Sequence, residues 1–199
     1  MQRSSCYCTD MATKNKVLKL TGRGKTLSSK KVYQGKVFWV TRDVVQEPGG
    51  VTATRDVIRH NGSVVILAVD TAKNPKDPSV LLIRQYRHAA NKLMLELPAG
   101  RIEPGEKLLA GARRELIEET GYRARRWTKL ASYFVSPGYV DERMTIYLAE
   151  DLTAGVATPM DDERIETRWF PAREVERMIE TGKLDDAKTI IGFYRWKKA

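Results

Sequence analysis

The hydrophobic and polar positions divide the chain at about residue 32. Before that point apolar residues show no period; after it, short alternating or continuous apolar stretches are separated by turn formers, the pattern of a strand-rich domain. Tyr33 to Val45 and Val51 to Arg59 alternate approximately around Glu47-Pro48-Gly49-Gly50, which predicts an antiparallel hairpin. Ser63 to Asp70 and Ser79 to Arg87 are rich in Val, Leu and Ile and bracket the turn-rich stretch Thr71 to Pro78, so they predict two buried core strands. Shorter strands are predicted around Met94 to Leu97, Leu130 to Val135, Arg143 to Glu150 and Glu166 to Phe170. Helical spacing is confined to Lys107 to Thr120, Ala172 to Thr181 before Gly182, and Asp185 to Trp196. Regular strand–helix–strand alternation is missing, which points to an α+β fold around a mixed β-sheet.

The central helix carries the unusual chemistry. With about 100° per residue and Leu108 at zero, Leu108, Leu109, Ala112 and Leu116 form an apolar stripe centred near roughly 55°. Glu119 falls at about 20° and Glu115 at about 340°, on the border of that stripe, where an unpaired carboxylate is strongly disfavoured. Glu115, Glu118 and Glu119 are spaced i, i+3 and i+4, and like charges so placed repel. A hard divalent cation such as Mg²⁺ would relieve the repulsion and leave room for water and phosphate oxygens; a solvated acidic face is the plain alternative.

Composition and charge remove other classes. The longest apolar run, Val64 to Val69, is far too short for a membrane-spanning helix. Cys6 and Cys8 provide neither a disulfide framework nor, with His60 and His88 distant, a four-ligand zinc site; two reduced thiols and a cytoplasmic location without a signal sequence are expected. The net charge is +10, but residues 1–31 hold eight Lys or Arg against Asp10, so most of the excess is local. A basic, mobile tail is therefore expected there, and nucleic-acid binding is not. The expected organisation is a tail over 1–31, a hairpin region over 32–62 and a main domain over 63–199.

Gly100, five residues, Glu106, seven residues and then Arg114-Glu115-Leu116-Ile117-Glu118-Glu119-Thr120-Gly121-Tyr122 resembles the Nudix box, with Tyr122 somewhat atypical in its last apolar slot. The resemblance implies an α/β/α sandwich and hydrolysis of a nucleoside diphosphate linked to another group. It also implies metal ligation by Glu115, Glu118, Glu119 and the Ala99 carbonyl, an orienting ion pair from Arg114, and a bracing or metal-linked role for Glu106. Mg²⁺ is the expected ion, with Mn²⁺ as a substitute. Pro137, fifteen positions beyond Tyr122, together with Arg84-Gln85-Tyr86-Arg87 and Leu95-Glu96-Leu97-Pro98-Ala99-Gly100, resembles the ADP-ribose pyrophosphatase subgroup.

Arg55 and Arg87 can donate paired hydrogen bonds to phosphate oxygens, although Arg55 equally suits a surface ion pair. Glu142 can accept from ribose hydroxyls, with Ser136 and Gly138 in the same candidate loop, and Phe38 or Trp39 can stack on adenine. The resemblance further implies a loop acid that positions water, Glu163 with Glu166 second, and a homodimer with shared active sites to which the N-terminal hairpin contributes. ADP-ribose is the expected substrate. ADP-glucose, GDP-mannose and a catalytically silent nucleotide-binding module are the alternatives.

Overall fold

A computed structural model describes residues 21–158 and 164–199. β1 (Lys25–Gln34), β2 (Trp39–Gln46) and β3 (Thr52–Arg59) form a three-stranded antiparallel sheet. β4 (Ser63–Asp70), β5 (Ser79–Arg87), β6 (Lys92–Glu96), β7 (Ala99–Arg101), β8 (Arg123–Phe134), β9 (Arg143–Thr153) and β10 (Ile165–Pro171) form the main sheet. Its order is β10-β5-β4-β9-β8, with β6 on β5 and β7 on β4. β4 and β9 run parallel and the other pairs are antiparallel, so the sheet is mixed.

β4 shows why. Residues 63–69 are all buried because both faces of the strand are covered, by α1 (Leu108–Thr120) on one side and by α2 (Ala172–Glu180) and α3 (Ala187–Lys197) on the other. Val64, Ile66 and Ala68 pack with Ala112 and Leu116, whereas Val65, Leu67 and Val69 pack with Val175, Met178 and Phe193. At about 1.5–3 kcal/mol per fully buried branched side chain, the first cluster fixes α1 on one face of β4 and the second fixes α2 and α3 on the other. No helix among the described residues is long and apolar enough to cross a membrane.

The structure corrects several expectations. Residues 25–31, expected in the tail, belong to β1, which pairs with the β2 edge of the expected hairpin, present as β2 and β3, and makes it a three-stranded sheet. β1 escapes a periodicity reading because all ten of its residues are exposed and it is held by its backbone ladder to β2. The expected strand from Tyr33 to Val45 is broken at residues 35–38, where the Gly35 N–H bonds to the Phe38 carbonyl. β8 starts at Arg123, seven residues before the expected Leu130, because its first half carries exposed arginines. The short β7 has no counterpart among the expected elements. Cys6 and Cys8 lie outside the described residues.

The N-terminal sheet meets the main domain through β3. The Arg59 guanidinium bridges Asp141 at 3.0 Å and buried Asp43, and the His60 N–H donates to Asp141 at 2.8 Å. The Ser29 hydroxyl bond to Asp43 holds that carboxyl below its ordinary range against the opposing effect of burial, with Arg59 adding to the shift.

Candidate active site

α1 begins after Lys107 and ends at Gly121, whose φ of 75° lets the Gly121 N–H close on the Ile117 carbonyl. Its buried face comprises Gly111, Ala112, Glu115, Leu116, Glu119 and Thr120, so Glu115 and Glu119 sit within the buried surface. Leu108, expected in the apolar stripe, is exposed at the first turn. Gly111 closes the other side of the face, against Ile102 and Glu106.

β7 crosses directly over these carboxylates. The Ala99 N–H donates to Glu119 Oε2 at 2.9 Å. A Cβ on Gly100 would lie 2.0–2.2 Å from the carboxylate atoms of Glu115, so only glycine lets that carboxylate rest on the strand. Arg114 gathers the neighbouring acids: Nη1 donates to Glu115 at 2.7 Å and to Glu118 at 2.9 Å, while Nε and Nη2 donate to both oxygens of Glu106 at 3.0 Å. Glu106 also accepts the Glu103 N–H, which braces the loop ahead of α1. The Arg114 bonds hold the Glu106 carboxyl below its ordinary value and raise the guanidinium further above its own. Among the described residues no three His, Cys, Asp or Glu side chains are grouped as a metal cage, and Arg114 spans Glu115 and Glu118. The donor set of carboxylate and carbonyl oxygens nevertheless has the hardness that Mg²⁺ requires.

Beside Gly100 lies a cleft of about 300 Å³, lined by residues including Arg87, Glu96, Ala99, Glu142 and Lys188. Arg87 donates through Nε (2.7 Å) and Nη2 (3.0 Å) to buried Glu96. Burial opposes the charge of Glu96, but Arg87 and Lys188 outweigh it and hold the carboxyl below its ordinary value. Glu142 accepts from the Ser63 hydroxyl at 2.6 Å. Burial, aided by the charges of Asp186 and Glu142, pushes the Tyr133 phenol up to about 12, so it stays protonated across the neutral range.

Sequence-derived candidates are thus divided. Ala99, Arg87 and Glu142 share the cleft beside Gly100, above the α1 carboxylates. Arg55 and Gly138 instead line a separate cleft of about 500 Å³ with Pro137 and Tyr139, where Arg55 pairs with Glu47 at 2.7 Å. Ser136 opens the turn there, its carbonyl accepting the N–H groups of Tyr139 and Val140. Trp39 is half-buried at the start of β2. Glu163 lies outside the described residues, and Glu166, on β10, is largely exposed and faces Arg84 at 3.6 Å. Lys188 was not singled out in the sequence, and Glu96 stood there only within the Leu95 to Gly100 motif, without a role of its own. A glutamate inside the apolar run 93–97 was the available signal, because such a residue needs a buried counter-charge.

A NUDIX domain family model matches residues 59–193. The chain is 32% identical over 167 residues to an ADP-ribose pyrophosphatase of Bacillus subtilis, covering 83% of this chain and 88% of the relative. It is 33% identical over 169 residues to a methanol dehydrogenase activator of Bacillus methanolicus, covering 84% and 89%. A crystal structure of an ADP compounds hydrolase superposes with a TM-score of 0.74 at 22% identity, covering 89% of this chain and 94% of the other, and shows the same fold.

Proposed function

The chain belongs to the Nudix hydrolase family, and from that premise we propose that it is a cytoplasmic, Mg²⁺-dependent pyrophosphatase that hydrolyses ADP-ribose to AMP and ribose 5-phosphate. The observation that carries the reading is the stacking of Glu115 and Glu119 beneath Ala99 and Gly100, beside a cleft whose wall holds Arg87. Glu115, Glu118, Glu119 and the Ala99 carbonyl would hold the metal, with Mn²⁺ able to replace it. Bound there, the ion would offset the diphosphate charge and make a bound water a stronger acid.

The chain's own groups do the rest. Arg114 steadies Glu115 and Glu118, and its bidentate hold on Glu106 would keep the guanidinium in place if those two carboxylates turned to a metal. Arg87, with Nε and Nη2 fixed on Glu96, offers its remaining guanidinium edge to a phosphate oxygen. Glu142 accepts from a ribose hydroxyl. Glu163 holds the attacking water and takes its proton, with Glu166 as the second candidate for that role. The relative named as an ADP-ribose pyrophosphatase supports this choice of substrate.

Arg55, Trp39, Ser136 and Gly138 would complete the site in a homodimer. Apolar Leu27, Val32, Tyr33, Val37 and Phe38 stand exposed on the N-terminal sheet and its turn, which supports a second copy covering this surface. The test is incubation with Mg²⁺ and ADP-ribose, ADP-glucose, GDP-mannose or diadenosine polyphosphates, followed by product identification. AMP and ribose 5-phosphate formed most efficiently from ADP-ribose are expected. Preference for another nucleotide sugar changes the substrate, and no turnover of any member overturns the hydrolase reading.

A further inference from the structure

Four alternating charges run inward from the cleft wall. Glu96 is 1% exposed, deep enough that one half-exposed arginine is a poor counter-charge for it. The second cation is Lys188, itself 8% exposed, whose ammonium contacts Glu96 and donates to Asp186 Oδ1 at 3.0 Å. Asp186 is the N-cap of α3: its other oxygen accepts the Thr189 N–H at 3.0 Å and the Thr189 hydroxyl at 2.6 Å. That hydroxyl in turn accepts the Leu97 N–H at 2.8 Å, one residue beyond Glu96. The first turn of α3 therefore grips the end of β6 through both a side chain and the backbone.

The consequence lies at the outer end. Both oxygens of Glu96 hold Arg87 side-on, so the direction of the Arg87 guanidinium is set by a carboxylate that is itself set by α3. We infer that Lys188 is a positioning residue for diphosphate recognition, which it serves by fixing Glu96 so that Arg87 presents its free edge to the cleft. This rests on the reading of Arg87 as a phosphate contact. Lys188 reaches no reacting atom on this account, because both of its partners are carboxylates.

The test is a double-mutant cycle read by binding and by kinetics. ADP is titrated calorimetrically into the wild type, Lys188→Met, Lys188→Arg, Arg87→Ala and the Arg87→Ala/Lys188→Met pair, and kcat and KM for ADP-ribose with Mg²⁺ are measured alongside. Lys188→Met is expected to weaken ADP binding and raise KM about tenfold with kcat within about twofold, Lys188→Arg to recover most of the loss, and Lys188→Met to add nothing once Arg87 is gone. Equal losses in both backgrounds, or a loss confined to kcat, overturn the inference, as does a wild type that binds no ADP. If Lys188→Met does not fold, Asp186→Asn, which retains a capping acceptor, must show the same KM-weighted loss. ADP binding by a wild type that hydrolyses no diphosphate sinks the hydrolase reading while the cycle still decides the role of Lys188.

Discussion

Replacing Gly100 by alanine isolates the contact between β7 and Glu115. The backbone at Gly100 is outside the left-handed region, so an alanine strains nothing by itself. Its Cβ, however, would sit 2.0 Å from Glu115 Cδ and 2.1 and 2.2 Å from the two oxygens. The carboxylate is the far end of a flexible side chain, so it moves and the strand stays. That motion breaks the 2.7 Å bond to Arg114, a charge-assisted interaction of about 1.5–3 kcal/mol. Arg114 keeps Glu106 and Glu118, which reduces the expected destabilisation to about 1–2 kcal/mol, or a fall in Tm of roughly 2–8 °C for a domain of this size. Turnover should suffer more, because a displacement of about 1 Å at a ligating group costs on the order of 100-fold. The assay is kcat/KM for ADP-ribose at saturating Mg²⁺ beside a thermal melt. Glu115→Gln should produce a similar loss, and the double variant little more than either single change, since both act on one carboxylate. A folded Gly100→Ala protein within about threefold of wild-type activity would refute the placement of Glu115 at the metal.

Two further outcomes are expected. Glu96 and Glu106 have folded pKa values below the ordinary 4.5, so the unfolded chain binds their protons more readily; their stabilisation is complete above about pH 4.5 and is lost as pH falls through the depressed values. Urea midpoints should drop in that window and drop less steeply in Glu96→Gln, whereas parallel profiles would remove Glu96 as a source. Sedimentation velocity should give a dimer, and mixing inactive Arg55→Ala with inactive Glu119→Gln should restore about a quarter of wild-type activity, since half the random dimers are mixed and each has one intact site. A fully active monomer, or no recovery after exchange, contradicts the shared site.

The parts of the fold readable from sequence were those that burial dictates. β4 shows as an unbroken apolar run because it is covered on both faces, and α1 as a helical stripe because one side meets β4 and β7. Glu119 falls awkwardly beside the apolar stripe on that wheel, and the structure puts its carboxylate on the Ala99 N–H. β1 was illegible for the opposite reason: exposed on both faces and held by backbone pairing, it leaves no apolar pattern. Lys188 was hidden because nothing near it in sequence distinguishes it from a surface lysine; its meaning comes from Glu96, 92 positions earlier. Arg55 looked equally suited to a phosphate or an ion pair, and within one chain it makes the ion pair with Glu47.

The account stands most directly on Glu119. Glutamine at that position keeps an acceptor for the Ala99 N–H and the volume of a side chain that is 4% exposed, yet removes the charge that would bind the ion. The measurement is kcat for ADP-ribose over a Mg²⁺ titration, with circular dichroism and a melt to show that the variant is folded. A folded Glu119→Gln protein that loses at least about 100-fold in kcat, with only partial recovery at high Mg²⁺, is the predicted result. A folded variant with unchanged kcat and unchanged Mg²⁺ dependence would contradict the assignment of the α1 carboxylates as the catalytic metal site.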